Sequence, residues 1–138
     1  TDPPTAGETT KARALIDEKI ADAASTIPFA NARTLVGCAG TFTTLSALAQ
    51  GLDSYDPERI HMSEISFGRL REVTADLRSK TAAQRRENPV VHPGRADVIG
   101  SGSTVVEQLM DAFNREAGAT SFIISEKDIL DGIVAGLA

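Results

Sequence analysis

The residues best suited to chemistry lie in the stretch LVGCAGTFTTL, residues 35–45, an apolar run that Gly37 and Gly40 interrupt. Because neither glycine has a β-carbon, a phosphate or a sugar can approach the main chain closely there. A helix that begins at this point offers free amides and a partial positive charge, and the Thr41 hydroxyl can cap it or donate to an anion. The pattern predicts an anion-binding helix entrance.

Spacing alone favours a simpler explanation for this stretch. In that explanation Gly37 and Gly40 only let a strand and a helix pack closely together, because a lone pair of glycines is weak support for a ligand site. The pair matches neither the dinucleotide-binding fingerprint nor the P-loop, whose last glycine precedes a lysine and then serine or threonine.

A second glycine-rich stretch, GSGS at 100–103, also precedes a predicted helix, and Arg95 lies close upstream. Two such entrances in one small domain suggest a common cleft, which both could face. A simple helix N-cap at Ser101 or Ser103 explains this loop nearly as well.

The other reactive side chains form no self-contained catalytic constellation. Cys38 falls inside the apolar run, which predicts a buried packing role. His61 and His92 lie in loops 31 residues apart, without a nearby cysteine or paired carboxylates, so metal ligation by them is not expected. The residues by themselves therefore predict the ligand-binding half of an α/β domain, with no catalytic residue and no metal ligand.

Composition and charge restrict the function further. The chain has 138 residues, 41% of them hydrophobic, which is enough for one domain with a core. The net charge of -5 argues against a nucleic-acid partner, and no apolar run or signal peptide indicates a membrane partner. The single cysteine excludes an internal disulfide and predicts a reducing, cytoplasmic compartment. The opening TDPPTAGETT resembles a connector, so we expect the chain to be part of a longer protein.

Local signals predict where the helices begin and end. Thr5 and Glu8 form a capping box ahead of a helix that keeps Ile16 and Ile20 on one face, and Pro28 stops it. Later signals are Gly51 as a terminator, Ser66 as a cap, a capping box from Thr81 to Gln84, Pro89 as a stop, and Ser125 with Asp128 ahead of a last helix whose inner face is Ile129, Ile133 and Leu137.

Two buried strands are predicted, at 34–38 and 120–124, both apolar on both faces as in a covered parallel sheet. Because two strands do not make a stable parallel sheet, the missing strands are expected upstream of Thr1. Residues 63–88 are predicted to form a helical insertion. Its basic residues indicate either a solvated face or a rim that attracts a polyanion. They are Arg69, Arg71, Arg78, Lys80, Arg85 and Arg86.

The ordered set of motifs resembles one family over nearly the whole chain. DPPT, LVGCAGTFTTLSALAQGLDSYDPERIH, GRADVIGSGSTVVEQLM and SEKDILDGIVAGL are similar to segments of the exopolyphosphatase/guanosine pentaphosphate phosphatase (Ppx/GppA) family. The resemblance implies membership of the actin-like, sugar-kinase and Hsp70-type ATPase superfamily. It also implies that residues 1–138 are the later part of an RNase-H-like second domain, with the missing strands and the first domain upstream.

The resemblance implies that the parent protein removes terminal phosphate from inorganic polyphosphate or guanosine pentaphosphate, with Mg²⁺. Positioning and charge neutralisation carry most of such a reaction. The family's catalytic glutamate and its metal-organising loops match no part of this sequence, so the chain alone is expected to be inactive and most Mg²⁺ ligands to lie outside it. The missing N-terminal domain is thus an expected partner, and a homodimer is left open.

The resemblance also assigns ligand contacts residue by residue. The family commonly has Gly-x-Gly-Gly-Thr where this chain has Gly37-Cys38-Ala39-Gly40-Thr41, so Ala39 departs from the usual glycine. In related ATPases this position approaches the nucleotide. The ligand contacts expected on this basis are Gly37, Ala39, Gly40, Thr41, Arg95, Ser101 and Gly102, with Asp97 as a salt-bridge or substrate residue and Tyr55, Asp56, Arg59 and His61 in a mostly structural turn.

Two other classes of function stay open. The chain could be a non-catalytic module that binds a nucleotide or guanosine alarmone, and nucleotide binding without a catalytic glutamate in the parent gene would favour that. A related ATP-dependent kinase would instead transfer phosphate from ATP to an acceptor.

Overall fold

The computed structural model describes residues 1–137 as an α/β fold with a small mixed sheet, which confirms the predicted fold class at that level. The helices are α1 Ala6–Ala24, α2 Ala39–Ala49, α3 Pro57–Ile60, α4 Phe67–Ser79, α5 Ala82–Arg86, α6 Ile99–Ala117 and α7 Ile129–Gly136, with 3-10 turns at Phe29–Asn31 and Pro93–Arg95. The strands are β1 Val36–Cys38, β2 Ser63–Ser66 and β3 Ser121–Ser125. No helix among residues 1–137 is long and apolar enough to cross a membrane.

The helix starts follow the local capping signals. Thr5 begins α1 with a complete capping box, since its side chain accepts from the Glu8 amide at 3.2 Å and Glu8 accepts from the Thr5 amide at 2.8 Å. The same reciprocal pattern opens α5 at Thr81, and the Ser66 hydroxyl caps α4. Gly51 takes a φ of 66° just after α2, as a glycine terminator does. These predictions are confirmed.

The sheet has the order β1-β3-β2, with β1 parallel and β2 antiparallel to β3. The strand β2 corrects the prediction that 63–88 is wholly helical and that only two strands exist. In β2 only Ile65 is buried and its neighbours are polar, so the segment alternates as a half-exposed strand rather than forming an apolar run. Its backbone is satisfied by Phe122 and Ile124 of β3, a pairing that no local signal reveals.

The core lies between one face of the sheet and the helices. Leu45 of α2, Leu70 of α4 and Met110 of α6 are fully buried against Phe122 and Ile124. Within residues 1–137 the opposite face of the sheet is open, and Val36 on it is 58% exposed. The expectation of a parallel sheet covered on both faces is therefore wrong for the described chain.

The helix α6 begins earlier than the GSGS stretch indicated. Its first residue is Ile99, so Ser101 and Ser103 lie inside the helix instead of capping it. The buried Ser103 hydroxyl donates back to the Ile99 carbonyl at 2.7 Å, a bond that satisfies it within the helix. The residue in the N-cap position is Val98, and it makes no side-chain cap.

The two terminal helices are less buried than their periodicity predicted. No residue of α1 is buried, and the half-buried Ile16 and Ile20 occupy the packed side. The helix α7 has no buried residue either. The predicted inner face of α7 is wrong within the described chain, because Ile129, Ile133 and Leu137 are 76%, 54% and 82% exposed.

Candidate functional site

The candidate site lies where the parallel strands β1 and β3 end. Cys38 and Ser125 are paired partners at this edge, and α2 begins at the next residue, Ala39. Ligands of open α/β sheets bind beyond the carboxyl ends of the strands, where helix N-termini present free amides. The first glycine stretch therefore occupies the position that its sequence pattern predicted.

Gly40 and Arg95 form the closest approach in the site. A β-carbon on Gly40 would lie 2.2 Å from Arg95 Cζ and 2.3 Å from one guanidinium nitrogen. Only glycine at this position therefore leaves room for the guanidinium. Arg95 ends the 3-10 turn Pro93–Arg95, in which His92 Nδ1 accepts from the Gly94 amide at 3.1 Å. Among residues 1–137 no carboxylate forms a salt bridge with Arg95, and Asp97, two residues later, pairs with Arg86 at 2.5 Å. The guanidinium is thus a cation beside a helix N-terminus.

Thr41 and Gly102 bring the second glycine stretch to the first. A β-carbon on Gly102 would lie 2.7 Å from Thr41 Oγ1, so the first turn of α6 touches the first turn of α2. Four of the predicted ligand contacts, namely Gly40, Thr41, Arg95 and Gly102, therefore converge on one place. That they contact a ligand stays a prediction.

The structure gives Gly37 and Ser101 different surroundings. Gly37 is buried in β1, and a β-carbon there would lie 2.3 Å from the Phe42 ring, so close packing of strand and helix explains this glycine. Ser101 lines a small cavity with Thr1, Asp2 and Pro4, on the side of α6 that faces the N-terminal segment. A ligand contact by either residue has no support from this geometry and stays a prediction.

Ala39 adopts a conformation that suits glycine. Its φ is 68°, in the left-handed region where an alanine β-carbon costs about 1–2 kcal/mol. This backbone requirement is a physical reason for a glycine at the position.

Replacing Ala39 with Gly is expected to raise the free energy of unfolding by about 0.5–1 kcal/mol, because the relief of left-handed strain exceeds the added chain entropy of glycine. Chemical denaturation measures the change. The matched control is Ala14→Gly in the exposed, right-handed part of α1, which should lower stability by about 0.8–1 kcal/mol. If both substitutions changed the free energy of unfolding in the same direction, this account would be contradicted.

Tyr55 and Glu126 form a pair beside the site that the sequence did not reveal. The Tyr55 hydroxyl donates to Glu126 Oε1 at 2.5 Å, and the Glu126 amide donates to His61 Nδ1 at 3.1 Å. Burial raises the pKa of Tyr55 above its ordinary value, the bond to Glu126 adds to this increase, and nearby Arg95 opposes it. The predicted structural role of Tyr55 and His61 fits these contacts. Glu126 was missed, and its one visible signal is its position directly after a buried strand.

The pKa of Tyr55 can be measured directly, because the chain has one tyrosine and no tryptophan. We expect the absorbance of tyrosinate to appear above the ordinary phenol pKa of 10.0, and at lower pH in Glu126→Gln. Since the folded state raises this pKa, the associated stability is complete below the unfolded pKa and is lost as the pH rises through the folded one. The control Glu116→Gln should leave the titration unchanged. Identical titration curves for Glu126→Gln and for the unsubstituted chain would refute the pairing.

Cys38 is exposed, which corrects the prediction that it is buried. In the three-residue strand β1 only Gly37 faces the core, so the Cys38 side chain points to the open face of the sheet. The predicted strand, residues 34–38, was apolar throughout, so the sequence did not indicate which of its side chains would point to the core.

The basic residues of 63–88 are all engaged in ion pairs. Arg71 pairs with Asp111 and Arg78 with Glu107, so these two residues fasten α4 to α6. Arg85 is 3% exposed, lies 3.8 Å from a carboxylate oxygen of Asp2 and donates to the carbonyls of Leu77 and Ala96. The remaining three pairs are Arg69–Glu72, Lys80–Asp76 and Arg86–Asp97. These pairings favour the structural explanation of the charges over a rim for a polyanion.

Residues 1–137 contain no group of three histidine, cysteine or carboxylate side chains placed to hold a metal ion. The site consists of one guanidinium, two helix entrances and the Tyr55–Glu126 pair. This arrangement can bind and orient an anion.

Comparison with known proteins gives a consistent result. Residues 1–136 match the family model described as the Ppx/GppA phosphatase family. Exopolyphosphatase 2 of Mycobacterium tuberculosis is 48% identical over 137 residues, which are 99% of this chain and 43% of that protein. The chain thus spans less than half the length of this relative.

Solved structures show the same similarity. A crystal structure of an exopolyphosphatase-like protein superposes with a TM-score of 0.97 at 37% identity, over 99% of this chain and 44% of that one. A Ppx/GppA enzyme of Aquifex aeolicus has a TM-score of 0.84 at 23% identity, over 99% of this chain and 43% of the other, and shares the fold.

Proposed function

Because the chain belongs to the Ppx/GppA phosphatase family, we propose that it is part of a cytoplasmic phosphatase that removes terminal phosphate from inorganic polyphosphate. Guanosine pentaphosphate is the second substrate that we propose. The name of the M. tuberculosis relative, an exopolyphosphatase, favours polyphosphate. The residues described here supply the binding side of the reaction.

The observation that carries this proposal is the Arg95 guanidinium against Gly40 at the entrance of α2. An unpaired cation beside free helix amides suits a phosphate oxygen, because charge-assisted hydrogen bonds and the helix dipole act on the same anion. Thr41 can donate its hydroxyl at the same place, and the glycines leave room for close approach. In phosphoryl transfer, such groups hold and neutralise the phosphate chain.

We further propose that the chain is the later part of an RNase-H-like domain whose other strands lie elsewhere in the parent protein. The outer edge of β1 is unpaired in the described chain, and Val36 beside it is 58% exposed. An open edge of this kind accepts further strands. The catalytic base would then belong to the part of the protein that this chain does not include.

Mg²⁺ is the proposed cofactor, and its ligands would come largely from outside this chain. Bound to the phosphates, the ion would neutralise part of their charge. The task that we assign to the residues of this chain is to bind and orient the anion.

The test is phosphate release from polyphosphate and from guanosine pentaphosphate, with Mg²⁺, by this chain and by the full-length parent. We expect release by the parent alone, because the family's catalytic glutamate and metal-organising loops match no part of this sequence. Turnover by the isolated chain would refute the proposed division of roles. If the folded full-length protein released no phosphate from either substrate but bound a nucleotide, the result would favour a regulatory module over an enzyme.

A further inference from the structure

The Tyr55 hydroxyl connects two parts of the candidate site that are distant in the sequence. On one side it donates to Glu126 Oε1 at 2.5 Å, directly after β3. On its other side is a second hydrogen-bond neighbour, the Thr43 hydroxyl in the second turn of α2. The Thr43 hydroxyl lies 3.3 Å from the carbonyl oxygen of Gly40, the residue against which the Arg95 guanidinium packs. Polar contacts therefore lead from Glu126 to the entrance of α2.

Two opposite charges lie beside this hydroxyl without pairing with each other in the described chain. Burial raises the pKa of Tyr55 most, the Glu126 carboxylate raises it further, and the Arg95 guanidinium opposes the rise. Both charges therefore act on one phenol. Glu126 is bonded to Tyr55, and no salt bridge within residues 1–137 joins it to Arg95. Because opposite charges at such short range attract each other, a contact must hold the carboxylate in its place.

The bond from Tyr55 is the contact that holds the Glu126 carboxylate. Within residues 1–137 the carboxylate makes no other hydrogen bond and no salt bridge. The main chain at this point is held separately, since the Glu126 amide donates to His61 Nδ1 at 3.1 Å. Loss of the Tyr55 hydroxyl therefore frees the carboxylate and leaves the main chain fixed. The cation beside the freed carboxylate is Arg95.

We propose that Tyr55 is a positioning residue whose hydroxyl holds Glu126 apart from Arg95 and so keeps the guanidinium available to the anionic substrate. This inference rests on the proposed function, in which Arg95 binds a phosphate oxygen. A carboxylate and a phosphate compete for the same guanidinium, because arginine binds both through the same fork of N–H donors. A glutamate released at this place therefore acts as an internal competitor of the substrate.

The test uses three variants of the full-length parent, namely Tyr55→Phe, Glu126→Gln and the two combined. Phenylalanine keeps the ring and removes only the hydroxyl, whereas glutamine keeps the shape of glutamate and removes its charge. We expect Tyr55→Phe to raise the KM for polyphosphate about fivefold, as one exposed ion pair allows, and to change kcat much less. The combined variant should have a KM within about twofold of that of Glu126→Gln alone.

This rescue separates positioning from support of the fold. If Tyr55 only packed, or only held α2 through Thr43, the second substitution would not reverse the loss caused by the first. Glu126→Gln alone should lower KM by up to about twofold, because it removes a negative charge beside an anion site. The control Glu116→Gln, at an exposed position of α6, should change neither constant. A combined variant with a KM as high as that of Tyr55→Phe would overturn the inference.

A crystal structure of full-length Tyr55→Phe gives a second measurement, which needs no turnover. We expect the Glu126 carboxylate to lie within about 4 Å of the Arg95 guanidinium, the distance of an ion pair. A new Glu126–Arg95 pair together with an unchanged KM, or with an inactive parent, would support the role of Tyr55 and refute only the proposed function. A carboxylate that stays in its present place would overturn the inference, whatever the kinetic result.

Discussion

Replacing Glu107 with Ala is expected to lower the free energy of unfolding by about 3 kcal/mol, at the lower end of the range for breaking a buried ion pair. Glu107 is 6% exposed. Its carboxylate accepts from Arg13 at 2.9 Å, from the Thr74 hydroxyl at 2.7 Å and from Arg78 Nε at 3.1 Å. Without it, a half-buried guanidinium and a buried hydroxyl lose their partner. Arg13 is 42% exposed, so water replaces part of its loss.

The expected loss is large because this one carboxylate joins three helices. Arg13 belongs to α1, Thr74 and Arg78 to α4, and Glu107 to α6. The helix α1 buries no residue of its own and has few other long-range bonds, of which Gln108 to Asp17 at 2.6 Å is one. We therefore expect α1 to lose hydrogen-exchange protection before the rest of Glu107→Ala unfolds.

Chemical denaturation of this chain measures the effect, and Glu116→Ala is its matched control. Glu116 lies on the same helix, and its side chain is 48% exposed in a pair with its neighbour Arg115. Its loss should change the stability by at most about 0.5 kcal/mol. Similar losses for the two substitutions would mean that the buried network does not hold α1 in place.

The starts of α1, α4 and α5 were predictable from the sequence because their causes are local. A capping box needs only two residues three positions apart, and Thr5 with Glu8 and Thr81 with Gln84 adopt it as expected. The parallel strands were predictable because short apolar runs are typical of them. Each of these signals involves residues that lie within about one helical turn of one another, so no tertiary information is required.

The features that sequence reasoning missed depend on distant partners. The strand β2 exists because β3, more than fifty residues later, supplies its hydrogen bonds. The side of β1 that faces the core depends on where the helices pack, so Cys38 could not be oriented from its apolar neighbours. The aliphatic face of α7 was visible in the sequence, but a pattern does not say whether anything in the described chain packs against it.

The candidate site was predictable in part for the same reason. Two glycine-rich helix entrances and a nearby arginine were visible in the sequence, and Gly40 does meet Arg95 while Gly102 meets Thr41. The start of α6 at Ile99, ahead of the second stretch, was not visible, because the helix begins without a side-chain cap. The bond between Tyr55 and Glu126 joins residues 71 positions apart, so spacing gave no indication of it.

Replacing Gly40 with Ala in the full-length parent is expected to lower the rate of phosphate release by about a hundredfold. The new β-carbon would occupy the place of the Arg95 guanidinium, 2.2 Å from its Cζ. Because an arginine side chain can swing away, the fold should survive and the cation should be displaced from the entrance of α2. The change therefore tests the anion-binding geometry and not the stability, which a thermal melt of the same variant verifies.

The matched control is Gly7→Ala, since a β-carbon on Gly7 meets nothing within 4 Å. A double-mutant cycle then assigns the loss. If Gly40→Ala acts by displacing Arg95, adding it to Arg95→Ala should cost little more than Arg95→Ala alone, because residues in contact are not additive. Full additivity would mean that the glycine contacts the phosphate directly through its amide and that Arg95 contributes independently. If Gly40→Ala kept full activity, the entrance of α2 would have no part in the reaction.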